Sequence, residues 1–135
     1  MDRRILVCGG REYDDRDFVY RILDAVHRKQ PISEIIHGAC HKGGADILAE
    51  DWAKSRQVNY RGIPAKWGKL GKRAGRIRNK EMLDAASPSG VVAFPGGDGT
   101  ADMVKQARDR GISVWSPLTA TVPTIRYSAG SASPD

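Results

Sequence analysis

The sequence predicts an α/β fold in a single domain, with a parallel sheet of about five strands covered on both faces by helices. Three observations carry that expectation. Short apolar runs alternate with stretches of helical period along nearly the whole chain, the pattern of repeated β-α units that bury a parallel sheet. Polar, glycine-rich segments follow three of the apolar runs, at the strand ends where such sheets hold ligands. The chain has 135 residues, 40% of them apolar, which is enough for one core. No apolar run approaches the roughly 18 residues of a membrane span.

The first strand is read over Arg4-Ile5-Leu6-Val7-Cys8, which stops at Gly9-Gly10. Asp14 or Asp15 then caps a helix whose apolar stripe is Phe18, Val19, Ile22, Leu23 and Val26, and Pro31 ends it. Ile35-Ile36 form a second strand that enters His37-Gly38-Ala39-Cys40-His41-Lys42-Gly43-Gly44. The next helix turns Ala45, Leu48, Ala49 and Trp52 inward and leaves Glu50 and Asp51 on the wet side. Residues 57–63 have strand character and are closed by Pro64. A basic, glycine-rich loop over residues 66–75 carries Trp67, and a third helix follows to about Ala86. Ser87-Pro88-Ser89-Gly90 breaks that helix.

The fourth strand, Val91-Val92-Ala93-Phe94, runs into Pro95-Gly96-Gly97-Asp98-Gly99-Thr100. Glycines bring backbone N–H groups against a ligand with no side chain in the way, and Thr100 is placed to cap the helix that follows. A strand-to-helix corner of this kind is an anion site as readily as a tight connection. The last helix, with Met103, Val104 and Ala107 on one face, runs to Arg110 and is stopped by Gly111. Residues 112–115 form a fifth strand. Residues 1–116 are therefore expected to make the domain and residues 117–135 a partly disordered extension, since its last eight residues are small and polar.

The third helix points at function. At helical spacing its apolar stripe of Met82, Leu83, Ala85 and Ala86 continues backward to Arg78 and Asn79, which places two polar residues on the inward face of the first turn, toward the ligand end of the sheet. Arginine suits phosphate there because its fork makes paired, charge-assisted hydrogen bonds. The competing role is structural, a salt bridge from Arg78 to Asp46 or Asp102.

The formal charge is +6, and the residues from 66 to 80 hold seven basic side chains and no acidic one. That balance favours a phosphate-bearing partner. Several chemistries drop out. Gly68-Lys69 and Gly71-Lys72 lack the Ser or Thr of a Walker A loop, and Gly97-Asp98-Gly99 lacks the third glycine of the dinucleotide fingerprint. There is no G-x-S-x-G elbow. Cys8, His37, Cys40 and His41 match no zinc spacing, so no metal and no cofactor are expected, and the two cysteines are read as free thiols. The N-terminus enters a strand rather than a signal-peptide core, so a cytoplasmic location is expected.

Five segments, taken together, resemble a known family: residues 8–13; His37-Gly38 with Gly44-Ala45-Asp46 and Trp52-Ala53; residues 64–67; Gly71-Lys72-Arg73-Ala74-Gly75 with Arg78-Asn79 and Met82-Leu83; and residues 94–103. They are similar to the YspA-related branch of the SLOG superfamily, over about residues 3–116. The resemblance implies a Rossmann-like nucleotide-binding fold and a homodimer or larger assembly. LOG phosphoribohydrolases, which cleave the N-glycosidic bond of nucleoside monophosphates, share the glycine corner and an arginine that matches Arg78. Their catalytic glutamate falls on Met103, which cannot stabilise an oxocarbenium-like state. Asp102 lies about 100° away around the helix, and Asp46 is a second candidate carboxylate that equally caps its own helix or holds Arg78.

The leading expectation is a binding site for a nucleotide or nucleotide-derived ligand. Its phosphate would rest on Gly96, Gly97, Asp98, Gly99 and Thr100, with charge from Arg78, Arg11 or Lys72. Gly9, Gly10, His37, Gly38, Asn79 and Trp67 would surround the sugar or base, unless Trp67 is a loop anchor packed on the sheet edge. The alternative is an enzyme on the same site, with Arg78, Asp102 or Asp46 catalytic and His37 as acid or base. The third reading follows the superfamily relative DprA and is single-stranded nucleic-acid binding through residues 66–80.

Overall fold

The computed structural model describes residues 3–39, 43–65 and 73–117. Five parallel strands form one sheet in the order β3-β2-β1-β4-β5. They are β1 (Arg4–Cys8), β2 (Glu34–His37), β3 (Asn59–Gly62), β4 (Gly90–Ala93) and β5 (Ser113–Trp115). The helices are α1 (Arg16–Lys29), α2 (Ala45–Ser55), α3 (Ala74–Ala86) and α4 (Asp98–Asp109). This is the Rossmann-like α/β architecture that the alternating pattern foretold.

Period-two alternation on the central strands divides the core. Ile5 and Val7 join Phe18, Val19, Leu23, Ala49 and Trp52 beneath α1 and α2. Leu6 and Ile36 face the other way and pack with Met82, Leu83, Met103 and Ala107 of α3 and α4. Both layers are needed because a parallel sheet buries both faces. The chain adds β2 and then β3 outward from β1, and crosses back to place β4 on the other side of β1. The order of the strands thus reverses between β1 and β4, which opens a crevice at their carboxyl ends.

Some boundaries differ from expectation. Strand β3 is only Asn59–Gly62, because Gln57 takes a positive φ of 59° and turns the chain after α2. Of the two expected caps of α1, Asp15 is the one used, its carboxylate accepting from the Phe18 N–H at 3.1 Å. Thr100 does not cap α4: the cap residue is Gly97, and Thr100 sits inside the first turn. Its hydroxyl is folded under Gly96 instead, where a Cβ on that glycine would collide with it. Glu50 is not simply on the wet side of α2, since its carboxylate reaches His37 at 2.9 Å and Lys54 at 3.2 Å. No helix among the described residues is long and apolar enough to cross a membrane.

Candidate functional site

The site is built from strand ends. Strand β1 delivers Cys8 to the floor of a cleft of about 1060 Å3, and β4 delivers the turn into α4. The two corners are fastened together: the Gly10 N–H donates to Pro95 O at 2.8 Å, and the Phe94 N–H donates to Cys8 O at 2.8 Å. Gly9 and Gly10 line the cleft, and their lack of side chains is what lets the corners meet. A Cβ on Gly10 would lie 3.2 Å from Pro95 O, and one on Gly9 3.1 Å from Phe94 Cβ. Gly44, at φ +84°, brings the start of α2 onto the same corner, where the Ala45 N–H donates to Gly10 O at 3.2 Å.

The start of α4 forms one wall. Gly97, Asp98, Gly99 and Thr100 line the cleft, and no side chain caps the helix. The first intrahelical bond is from the Ala101 N–H to Gly97 O at 3.0 Å. The N–H groups of Asp98, Gly99 and Thr100 therefore have no acceptor among the described residues, as the first turn of any helix leaves them. A Cβ on Gly97 or Gly99 would meet nothing within 4 Å, so both glycines face open space. Gly96 behaves differently. It does not line the cleft but packs between Thr100 and Gly10, so it shapes the corner without facing the ligand space.

Arg78 and Asn79 arrive from the first turns of α3, on the inward face that the helical spacing foretold. Arg78 is half-buried and is held by neutral groups. Its Nη1 donates to Gly38 O at 2.7 Å and Ile63 O at 3.3 Å, and its Nε donates to Asn79 Oδ1 at 3.2 Å. It forms no ion pair among the described residues, so the structural salt bridge to Asp46 or Asp102 is not made. Gly38 has a steric role here: a Cβ there would lie 2.8 Å from Arg78 Cζ and 3.0 Å from Asp46 Oδ2. Asp46 lines the cleft and is 9% exposed.

Two expected residues are turned away. His37 is 2% exposed and does not line the cleft. Its Nδ1 accepts from the Ala39 N–H at 2.9 Å, which leaves the ring hydrogen on Nε2, 2.9 Å from Glu50 Oε1. With both nitrogens engaged, it ties the β2 end to α2. Asp102 likewise faces the α3/α4 seam, where its Oδ2 accepts from Asn79 Nδ2 at 3.0 Å and Gln106 Nε2 at 2.7 Å. The next residue, Met103, does line the cleft, fully buried like Met82.

Arg11 is exposed on the rim, with Glu12 beside it. Trp67 and Lys72, together with Cys40 and His41, lie outside the described residues. Burial pushes the Cys8 thiol up to about 12; the Asp46 carboxylate adds to the rise and the Arg78 charge opposes it. The thiol at the floor of the cleft is thus held toward its neutral form. Sequence reasoning did not place Cys8 on the cleft floor, nor find Asn79's second contact at Gly99 or the Glu50–His37 pair, because each depends on which elements pack together. Among the described residues no group of three or more His, Cys, Asp or Glu side chains is placed to hold a metal.

Comparison with known proteins gives two findings. The model of the family described as "YspA, cpYpsA-related SLOG family" matches residues 3–69, from β1 to the segment after β3. The Gene 61 protein of Mycobacterium phage D29 is 37% identical over 120 residues, which cover 83% of this chain and 94% of that protein. The family match ends before α3 and the glycine corner, so the placement of Arg78 and residues 97–100 rests on the geometry.

Proposed function

Because this chain belongs to the YspA, cpYpsA-related SLOG family, we propose that its cleft binds the phosphate of a nucleotide or nucleotide-derived ligand on residues 97–100, with Arg78 as the fixed countercharge. The observation that carries this reading is an arginine with no ion pair among the described residues that shares a cleft with an uncapped helix start. Three of the five guanidinium donors are used by neutral acceptors, and the two N–H groups of Nη2 have none among the described residues. A phosphate bound there gains charge-assisted hydrogen bonds from Arg78 and from the α4 N–H groups. Gly97 and Gly99 supply the space for its close approach.

A thermal-shift screen against nucleoside mono-, di- and triphosphates, dinucleotides, ADP-ribose and short single-stranded DNA tests the proposal. A ligand at 100 times its Kd stabilises the fold by about 2.7 kcal/mol. Arg78→Ala is expected to weaken that ligand roughly 10- to 100-fold, the range of a hydrogen bond to a charged group. Equal binding by wild type and Arg78→Ala would remove the arginine from the site. If only DNA binds, and its affinity falls steeply with salt, the functional surface is the basic run instead. A DNA track that used Arg78 and Asn79 would need them exposed, whereas Asn79 is buried and Arg78 half-buried.

A second reading, hydrolysis of the same ligand, is supported by the Asp46 carboxylate in the cleft wall near Arg78. Release of free base from a bound nucleotide, abolished by Asp46→Asn, would establish it. Intact ligand after prolonged incubation leaves a binding module.

A further inference from the structure

The phosphate reading treats Arg78 and the glycine corner as two halves of one cradle, yet they come from different helices. Nothing in their covalent connection fixes their spacing. A single buried amide bonds to both. Asn79 is 3% exposed, and each of its polar atoms is used: Oδ1 accepts from Arg78 Nε at 3.2 Å, while Nδ2 donates to Gly99 O at 3.1 Å and to Asp102 Oδ2 at 3.0 Å.

The direction of the amide follows from its neighbours. Gly99 O and a carboxylate oxygen only accept, so the NH2 group must face α4 and the carbonyl must face the arginine. Asp102 is held in its turn by Gln106, whose Nε2 also donates to Arg76 O of α3 at 3.2 Å. The network therefore runs from α4 back to α3 and pins the amide from both sides. Gly99 O belongs to the peptide whose N–H is that of Thr100, one of the groups proposed to face the phosphate. Tilting that carbonyl tilts the N–H.

We propose that Asn79 is the positioning residue of the phosphate site, orienting Arg78 and the Gly99–Thr100 peptide on one ligand without touching the phosphate itself. Asp102 then belongs to the same device: it sets the amide's direction. The inference rests on the phosphate reading above and goes beyond it, because it assigns the geometry of the cradle to one side chain.

The test is a double-mutant cycle read by calorimetric titration with AMP, GMP and inorganic phosphate as probes. Urea melts serve as a control that each variant is folded. Asn79→Ala is expected to weaken the tightest of these probes at least 10-fold in the wild-type background and less than about threefold when Arg78 is already alanine, since the part of its action that runs through Arg78 is then gone and only its hold on the Gly99–Thr100 peptide is left to lose. A merely structural role would lower the urea midpoint and leave the two factors equal. Should Asn79→Ala not fold, Asn79→Ser serves in the same cycle, because its short hydroxyl cannot reach both helices. Equal factors in the two backgrounds, or unchanged affinity in a folded variant, overturn the positioning role while the phosphate site stands. A wild-type chain that binds none of the three probes, when the wider screen also finds no ligand, overturns the site and the role together; a ligand found only in the wider screen takes the probes' place in the cycle.

Discussion

Glycines in one short run do different work, and the structure separates them. A Cβ on Gly96 would collide with Thr100 Oγ1 and lie 2.7 Å from Gly10 N, so Gly96→Ala must move the corner. Gly99 lies inside a helix and faces open space. Gly99→Ala is therefore expected to raise stability by about 0.5–1 kcal/mol, the usual helix gain, while its methyl group intrudes where the phosphate would sit. The checks are urea melts and ligand titrations of both variants. Gly96→Ala should lose stability, and Gly99→Ala should gain stability and lose affinity. A Gly99→Ala variant that keeps full affinity would mean that the ligand does not approach this turn. From sequence alone the three glycines of residues 96–99 were equivalent, because the difference between them is the identity of their neighbours across the fold. Arg78 was legible for the opposite reason: helical spacing fixes the face on which a side chain emerges, whatever it meets there.

At the scale of elements, the helices divide by how they begin. Helix α1 starts at the Asp15 carboxylate, whereas α2 and α4 start at glycines and α3 at Arg73, all without a side-chain cap. The last three lead into cleft-lining residues, Asp46, Gly75 and Asp98 among them. Helix α1 has no such place, and its first turn is satisfied by its own sequence. Asp15→Ala is accordingly expected to cost about 1 kcal/mol in chemical denaturation and to leave ligand affinity unchanged. A change of affinity in that variant would couple α1 to the cleft in a way the contacts do not show. The sequence placed these four helices and five strands in order, because apolar periodicity is a local signal. It named Asp15 among the two candidate caps of α1 but placed the start of α4 three residues late, at Thr100 instead of Gly97, since a cap depends on where the chain turns.

For the whole molecule, two neutral groups held in the interior make stability depend on alkaline pH. Burial, and to a lesser degree the Asp46 charge against the opposing Arg78, pushes the Cys8 thiol up to about 12. Burial followed by the Asp15 and Asp14 charges does the same for the Tyr13 phenol, whose hydroxyl has no hydrogen-bond partner among the described residues. Both values lie above those of the unfolded chain, about 8.5 for Cys and 10 for Tyr. Their contribution is complete below about pH 8.5 and is lost as pH rises toward 12, because the unfolded chain releases these protons first. Urea midpoints should fall between about pH 9 and 11, less steeply in a Cys8→Ala and Tyr13→Phe double variant. An equal slope in the two proteins would show that other groups carry the alkaline transition. Tyr13→Phe alone should cost little at pH 7, since it removes a buried hydroxyl that none of the described residues engages.

The sequence by itself determined the α/β class, the order of elements, the strand ends that carry polar residues and the emergence of Arg78 and Asn79 on an inward face. Those features follow from local periodicity and from glycines at fixed places in the chain. Only the tertiary structure decided which candidates share a cleft. It set Asp46 near Arg78, turned His37 onto Glu50, gave Asp102 to Asn79 and left Arg78 with no ion pair among the described residues. The contacts it made span at least 13 positions of sequence, and they are fixed when α3 and α4 close on one face of the sheet and α2 on the other. A hydrogen bond of that kind depends on side-chain direction to within an ångström. No pattern along the chain encodes it.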